Sequence, residues 1–396
     1  MVVILRFYLF NISYMKAFFS KNQPLRSYKT NLKSLDLISQ TASELPKLLL
    51  TNKVQKKIDN LNNNSFAVDV LIKNKRNKEV NLAMSHLSFI AHAYIWGGDK
   101  PRSILPEVIA KPWVQLSTYL GRPPILSYAS YCLDNWYKID PKEPVSLDNV
   151  ALINNFLGGV DEDWFVTIHV CIEDAASDAI DAAYKLSLLN QKNKVNDFSK
   201  QLKRIIASLK KVNHIFSLMP EKCDPYIYYH RVRPYIFGTK DNPDLKNGLI
   251  YENQFDNEPQ FFRGETGAQS SIIPFLDGAL GIEHSNDNLR PYLNEMRDYM
   301  PPNHRKMIDN VEKRSKAKTY INKSKKLVKE YNDCLEEIRR FRAQHLEYAA
   351  SYIHKQSQIK NPFGTGGSTI RGTGGTPFMK YLKKHRDETG KQKVNK

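Results

Sequence analysis

His345 lies within RRFRAQHLEYAASYI, residues 339–353, on the apolar face of what otherwise reads as an ordinary amphipathic helix. Stepping about 100° per residue from Ile338 puts Phe341 near −60°, Tyr352 near −40°, Ala349 near +20° and His345 near −20°. Such a stripe turns toward a core, so this imidazole is shielded and needs either a hydrogen-bond partner or a metal. A backbone carbonyl would satisfy it as well as a ligand role would. Arg342 falls near +40° on the same side. Read from its residues alone it is a snorkelling surface arginine. GTGGS at 364–368 recurs as GTGGT at 372–376. Such a run is a flexible linker, or a loop that closes over a ligand and offers it backbone N–H groups.

The elements that must hold these groups are helical. Leu35 to about Asn60 and NLAMSHLSFIAHA (81–93) have helical apolar spacing. Pro123 and Pro124 break the chain before ILSYASYCLDNWY, an apolar helix candidate, and DPKEPVSLDN (140–149) breaks it again. Asp163–Leu189 reads as one long Ala-rich buried helix, and 198–218 and 321–353 supply two more. Period-two alternation and repeats of 20–50 residues are missing. The expected fold is all-α with two domains: a basic extension over 1–35, a small helical domain over 36–150 and a larger one over 151–396, with a Gly-rich loop at 363–376.

Length and an apolar fraction of 41% allow a large core in 396 residues. The net charge of +18 first suggests nucleic acid. Its excess is confined to residues 1–35, 303–330 and 380–396, without aromatic RNA-binding motifs or zinc-finger spacing, so solvated faces explain it and no nucleic-acid partner is expected. Cys132, Cys171, Cys223 and Cys334 form no C-x-x-C pair, which fits reduced thiols inside a cell. No run reaches the ~18 apolar residues of a membrane span. The acid-free start has the composition of a mitochondrial transit peptide, or of an upstream start before Met15; otherwise the expected location is cytoplasmic.

FFRGETGAQSSIIPFLDGALGIEH (261–284) and MRDYMPPNHRKMI (296–308) are the most specific blocks. With PPILSYASYCLDNW (123–136), RPYIFGTKDNP (233–243), FRAQHLEYAASYI (341–353) and GTGGTPFMKYL (372–382), they resemble the indoleamine 2,3-dioxygenase family. The resemblance implies a helical enzyme with one haem b per chain that adds O2 across the indole C2–C3 bond of L-tryptophan. The product would be N-formylkynurenine, on the route toward NAD. It further implies an electron donor that keeps the iron ferrous, and a monomer.

Residue by residue, the resemblance makes His345 the iron ligand and Arg342 a partner of a haem propionate. No C-x-x-C-H is present for covalent attachment and no H-E-x-x-H for zinc. Arg233, rather than nearby Arg231, is in register to hold the tryptophan carboxylate. Tyr128 and Phe165 would line the substrate pocket, with Thr266, Gly267 and Ala268 beside it. Tyr228 and Tyr229 replace two phenylalanines of the animal enzymes. His169, a serine in animal members, would accept the indole N–H and orient the ring; the alternative is a satisfied histidine in a buried helix. Asp277 is expected to be a paired, structural carboxylate. Thr373 and Gly374 would touch the substrate ammonium side and the propionate.

Overall fold

The computed structural model describes residues 15–394, apart from 17, 21, 286–288, 323 and 360–377. The Gly-rich loop, with Thr373 and Gly374, therefore lies outside the described residues, as do residues 1–14. Among the described residues the fold is helical apart from three short two-stranded pairs, 15–16 with 19–20, 104–105 with 250–251, and 136–138 with 150–152.

Five helices position the site: α1 (Asn77–Trp96), α2 (Val160–Leu188), α3 (Val195–Ser217), α4 (Ile272–Leu280) and α5 (Lys325–Ala349). A last helix, α6 (Phe378–Lys391), lies against α5. Helix α2 begins with Asp161, Glu162 and Asp163 in its first turn, where carboxylates suit the positive end of the helix dipole. Glu162 also folds back to accept the Phe156 and Leu157 amides, each at 2.8 Å. Ala176, Ala179, Ala182 and Ala183 then bury a narrow stripe through which α2 lies close along α3. Small residues permit that approach at no side-chain entropy cost.

Among the described residues there are two large apolar cores and a small third cluster of Ile125, Met296 and Tyr299. One is built around α1 and takes in Phe19, Trp113, Tyr131 and Phe156; the other gathers α2 to α5. The stretch expected as an extension is built into this packing from residue 18 onward. Phe18 meets Phe275 edge-on at 5.3 Å, Phe19 stacks on Trp136 at 4.7 Å, and Glu79 accepts the Lys29 and Thr30 amides at 2.7 Å.

The apolar run after Pro124 is not the expected helix. It winds one wide π-type turn over Ala129–Leu133 and then becomes the strand Trp136–Lys138. Further π turns span Tyr228–Val232 and Ala350–His354. Each of the three abuts a candidate site residue: Tyr128, Arg233 and the His345 helix respectively. Turns of this width concentrate at functional sites.

Gly238 and Gly264 explain how RPYIFG and FFRGETG meet. A Cβ on Gly238 would lie 2.1 Å from the Gly264 nitrogen, and one on Gly264 would lie 2.2 Å from the Gly238 nitrogen. Two backbones cross here in contact, tied by Thr239 N to Phe262 O at 2.9 Å and Glu265 N to Ile236 O at 3.0 Å. Gly238→Ala must push main chain against main chain. We expect it to cost about 3 kcal/mol, the upper end of overpacking penalties, read as a lower denaturation midpoint at unchanged slope. Wild-type stability would show that the crossing gives way.

Candidate active site

Helices α2, α3, α4 and α5 enclose a cavity of about 640 Å³, within the range of small-molecule and cofactor sites. Its wall is mostly apolar, with Ile172, Val212, Phe216, Ile272 and Phe341 among its side chains. Four imidazoles border it: His284 from the loop after α4, His385 from α6, and the two singled out in sequence, His345 from α5 and His169 from α2.

The two histidines differ in how they are satisfied. His169 Nδ1 lies 2.7 Å from the Phe165 carbonyl one turn back, which places the proton on Nδ1 and leaves Nε2 as an acceptor. Burial lowers its pKa, so the ring is neutral. His345 makes no ring hydrogen bond to any described residue; its neighbour is the Phe216 ring, edge-on at 6.3 Å. Burial, and then the nearby His169, push His345 down to about 4. A neutral imidazole that finds no polar partner among the described residues but borders a cavity has the chemistry of a metal ligand.

The two arginines flagged in sequence separate cleanly. Arg231 is exposed, whereas Arg233 is 1% exposed and borders the cavity, its guanidinium over the rings of Phe237 at 4.6 Å and Tyr229 at 5.0 Å. Of the tyrosine pair, Tyr228 lines the cavity, stacked on Phe165 at 4.6 Å. Tyr229 does not reach it; the wide turn over Tyr228–Val232 carries its ring to the side of Arg233, which it supports. Phe165 in turn packs on His169 at 4.5 Å, and Tyr128 meets His169 edge-on at 6.0 Å. Thr266, Gly267 and Ala268 border the cavity, and a side chain on Gly267 would meet nothing within 4 Å.

Arg342 borders the cavity, is 6% exposed, and is already engaged. Its Nη2 donates to Asp277 Oδ2 at 2.6 Å and its Nη1 to Thr389 Oγ1. Burial works against ionisation of Asp277, but Arg342 and His284 outweigh it and hold its carboxyl below the usual range. Asp277 is therefore the paired carboxylate expected of it.

Two acids of the site were not singled out in sequence. Glu173 accepts from Tyr128 OH at 2.9 Å and Ser270 Oγ at 2.8 Å, and burial pushes it up to about 7. Glu265, on the cavity wall, is pushed up to about 8 by burial. Glu173 follows His169 by one helical turn, and that spacing is the one signal that could have found it.

An all-helical fold that keeps a large apolar cavity, with an unsatisfied imidazole and a buried guanidinium in its wall, defines a protein that binds a bulky apolar group and an anionic one together. Comparison makes this specific. The profile of the indoleamine 2,3-dioxygenase family matches residues 6–392. Indoleamine 2,3-dioxygenase 1 of Rattus norvegicus is 35% identical over 362 residues, 88% of this chain and 87% of that protein. Indoleamine 2,3-dioxygenase of Saccharomyces cerevisiae is 30% identical, covering 88% and 86%. 6-Hydroxytryptophan 2,3-dioxygenase of Fusarium equiseti is 30% identical, covering 76% and 78%. The chain belongs to the indoleamine 2,3-dioxygenase family and is a dioxygenase. Among its described residues no helix is long and apolar enough to cross a membrane.

Proposed function

We propose that the chain holds one haem b through His345 and, with O2, opens the indole ring of L-tryptophan to give N-formylkynurenine. The observation that carries this is the pair of imidazoles, His345 and His169, bordering one apolar cavity with Arg233 in its wall. The cavity suits a flat apolar group, His345 offers it a neutral nitrogen, and Arg342 stands on the same wall for a propionate. When bound, the haem supplies the oxygen activation, and an outside electron donor keeps its iron ferrous.

The protein's own part is binding and orientation. The buried Arg233 fork takes the substrate carboxylate, and the water-poor wall strengthens that charge pair. Phe165, Tyr128 and Tyr228 pack the indole. His169 Nε2 accepts the indole N–H, since Nδ1 is committed to the Phe165 carbonyl; its contribution is alignment of the reacting carbons. Both atoms of O2 enter the product, so the balance needs no further reductant per turnover.

A second reading takes another indole as substrate. The Fusarium relative is named for 6-hydroxytryptophan, and Tyr228 adds a hydroxyl to this cavity. The test is an absorption spectrum of the haem-reconstituted, reduced protein, followed by L-tryptophan and air. A Soret band with N-formylkynurenine formation is expected. Arg233→Ala should keep the Soret band while raising KM for L-tryptophan roughly 100-fold, about 3 kcal/mol of lost charge pairing. Turnover of tryptamine, which has no carboxylate, at the rate of L-tryptophan would overturn that assignment. Haem with no product from any indole would overturn the activity.

A further inference from the structure

At the Arg342 side of the cavity, a cluster outside the proposed catalytic groups joins the loop after α4 to the last helix. His284 follows α4, while His385 and Glu388 are three apart on α6 and so share a face. One potential ligand atom from each lies within 4.8 Å of the others. We propose that His284, His385 and Glu388 form a zinc(II) site that clasps α6 to the end of α4.

The hydrogen bonds around the cluster favour an ion there. His284 Nε2 lies 3.1 Å from Asp277 Oδ2 and its Nδ1 lies 2.9 Å from Glu388 Oε2. His284 Nδ1 and Glu388 Oε2 thus face each other from two separate elements, as two ligand atoms of one ion do. A carboxylate holding the far nitrogen of a ligating histidine is the usual outer support of a metal site.

Glu388 is oriented by its other oxygen, which takes Ser285 Oγ and lies 3.8 Å from Lys384 Nζ. That leaves Oε2 for the ion. The His385 ring makes no hydrogen bond to any described residue and stacks on His284 at 4.2 Å. Arg342 Nη2 lies 3.3 Å from His284 Nε2, but it is bound to Asp277 and lies on the far side of the ring from Nδ1. Bonds of ~2.0–2.2 Å in a tetrahedron put ligand atoms about 3.3 Å apart, so side-chain rotations of roughly an ångström close the set. Two histidines, one carboxylate and an open position are a zinc ligand set.

The test is titration of zinc chloride into the chelator-washed, haem-containing full chain by calorimetry. One zinc per chain at micromolar Kd or tighter is expected. At a hundredfold excess over Kd, Tm should rise about 3 °C. His385→Gln and Glu388→Gln should each weaken zinc at least tenfold while leaving the zinc-free Tm and the Soret band unchanged. Should those variants unfold, cobalt(II) bound to the unsubstituted protein reads the ligands directly: intense visible bands of a four- or five-coordinate site are expected, and a weak octahedral spectrum would overturn the proposal. No saturable zinc binding, or equal affinity in the double variant, would overturn it as well. A haem protein inactive on every indole but binding one zinc would separate this site from the proposed activity.

Discussion

His345→Ala should purify as a folded, colourless protein. Its ring is the cavity-facing imidazole of α5 and makes no hydrogen bond to any described residue, so truncation breaks no polar partnership and enlarges a space that already exists. The cost to folding is limited to lost packing against Phe216, about 1–2 kcal/mol. The cost to haem retention is the axial bond itself. Haem per chain, read from the Soret to near-ultraviolet ratio, should fall at least tenfold, and product formation should become undetectable. Adding free imidazole should restore part of the Soret band, because the space left is the shape of the missing ring. Haem at full stoichiometry in His345→Ala would place the iron elsewhere, and the proposed activity would lose its anchor.

Stability should fall gently as pH drops from about 6.5 to 4.5 and steeply below 4.5. Burial pushes His86 and His304 down to about 3 and His92, His345 and His385 down to about 4. The cause is clearest at His92, whose Nδ1 donates to Tyr235 O at 2.6 Å while Nε2 accepts Leu126 N–H at 3.0 Å; only the neutral ring can do both. Their folded pKa values lie below the unfolded 6.5, so their contribution is complete above 6.5 and is lost as pH falls.

Buried Glu162, Glu173 and Glu265 act oppositely. Burial raises the first two to about 7 and Glu265 to about 8. Folded pKa values above the unfolded 4.5 give a contribution complete below 4.5 and lost as pH rises through 7 and 8. From 6.5 to 4.5, five imidazoles withhold protons while three carboxyls take them up, so the carboxyls offset only part of the loss. Below 4.5 the carboxyls are neutral in both states and the imidazoles act alone, each worth on the order of 1.4 kcal/mol per pH unit. Denaturant unfolding across a pH series checks this. A loss as steep between pH 6.5 and 4.5 as below 4.5 would show that the buried acids are solvated.

The long helices were legible because a 3.6-residue apolar period survives in sequence, and α2, α3 and α5 appear within a few residues of where that period puts them. His345 was legible for the same reason, since one position on a wheel decides whether a ring meets water or a core. Arg233 needed its register with PYIFG, because composition cannot tell it from Arg231. What stayed hidden depends on contacts between distant segments. A π turn has no period of its own, so ILSYASYCLDNWY looked like a helix. Glu173 and Glu265 are unusual only because the fold buries them. His284 and His385 stand about a hundred residues apart in sequence, and no spacing rule joins them.

The crossing of Gly238 and Gly264 has a practical consequence for redesign. Arg233 lies five residues before one glycine and Thr266 two residues after the other, so these two parts of the cavity wall are joined at one point and shift together. A library that varies the loops would lose folded members before it explored new substrates. Diversity placed at His169, Tyr228 and Gly267, with both crossing glycines left alone, changes the shape offered to an indole while the frame stays fixed.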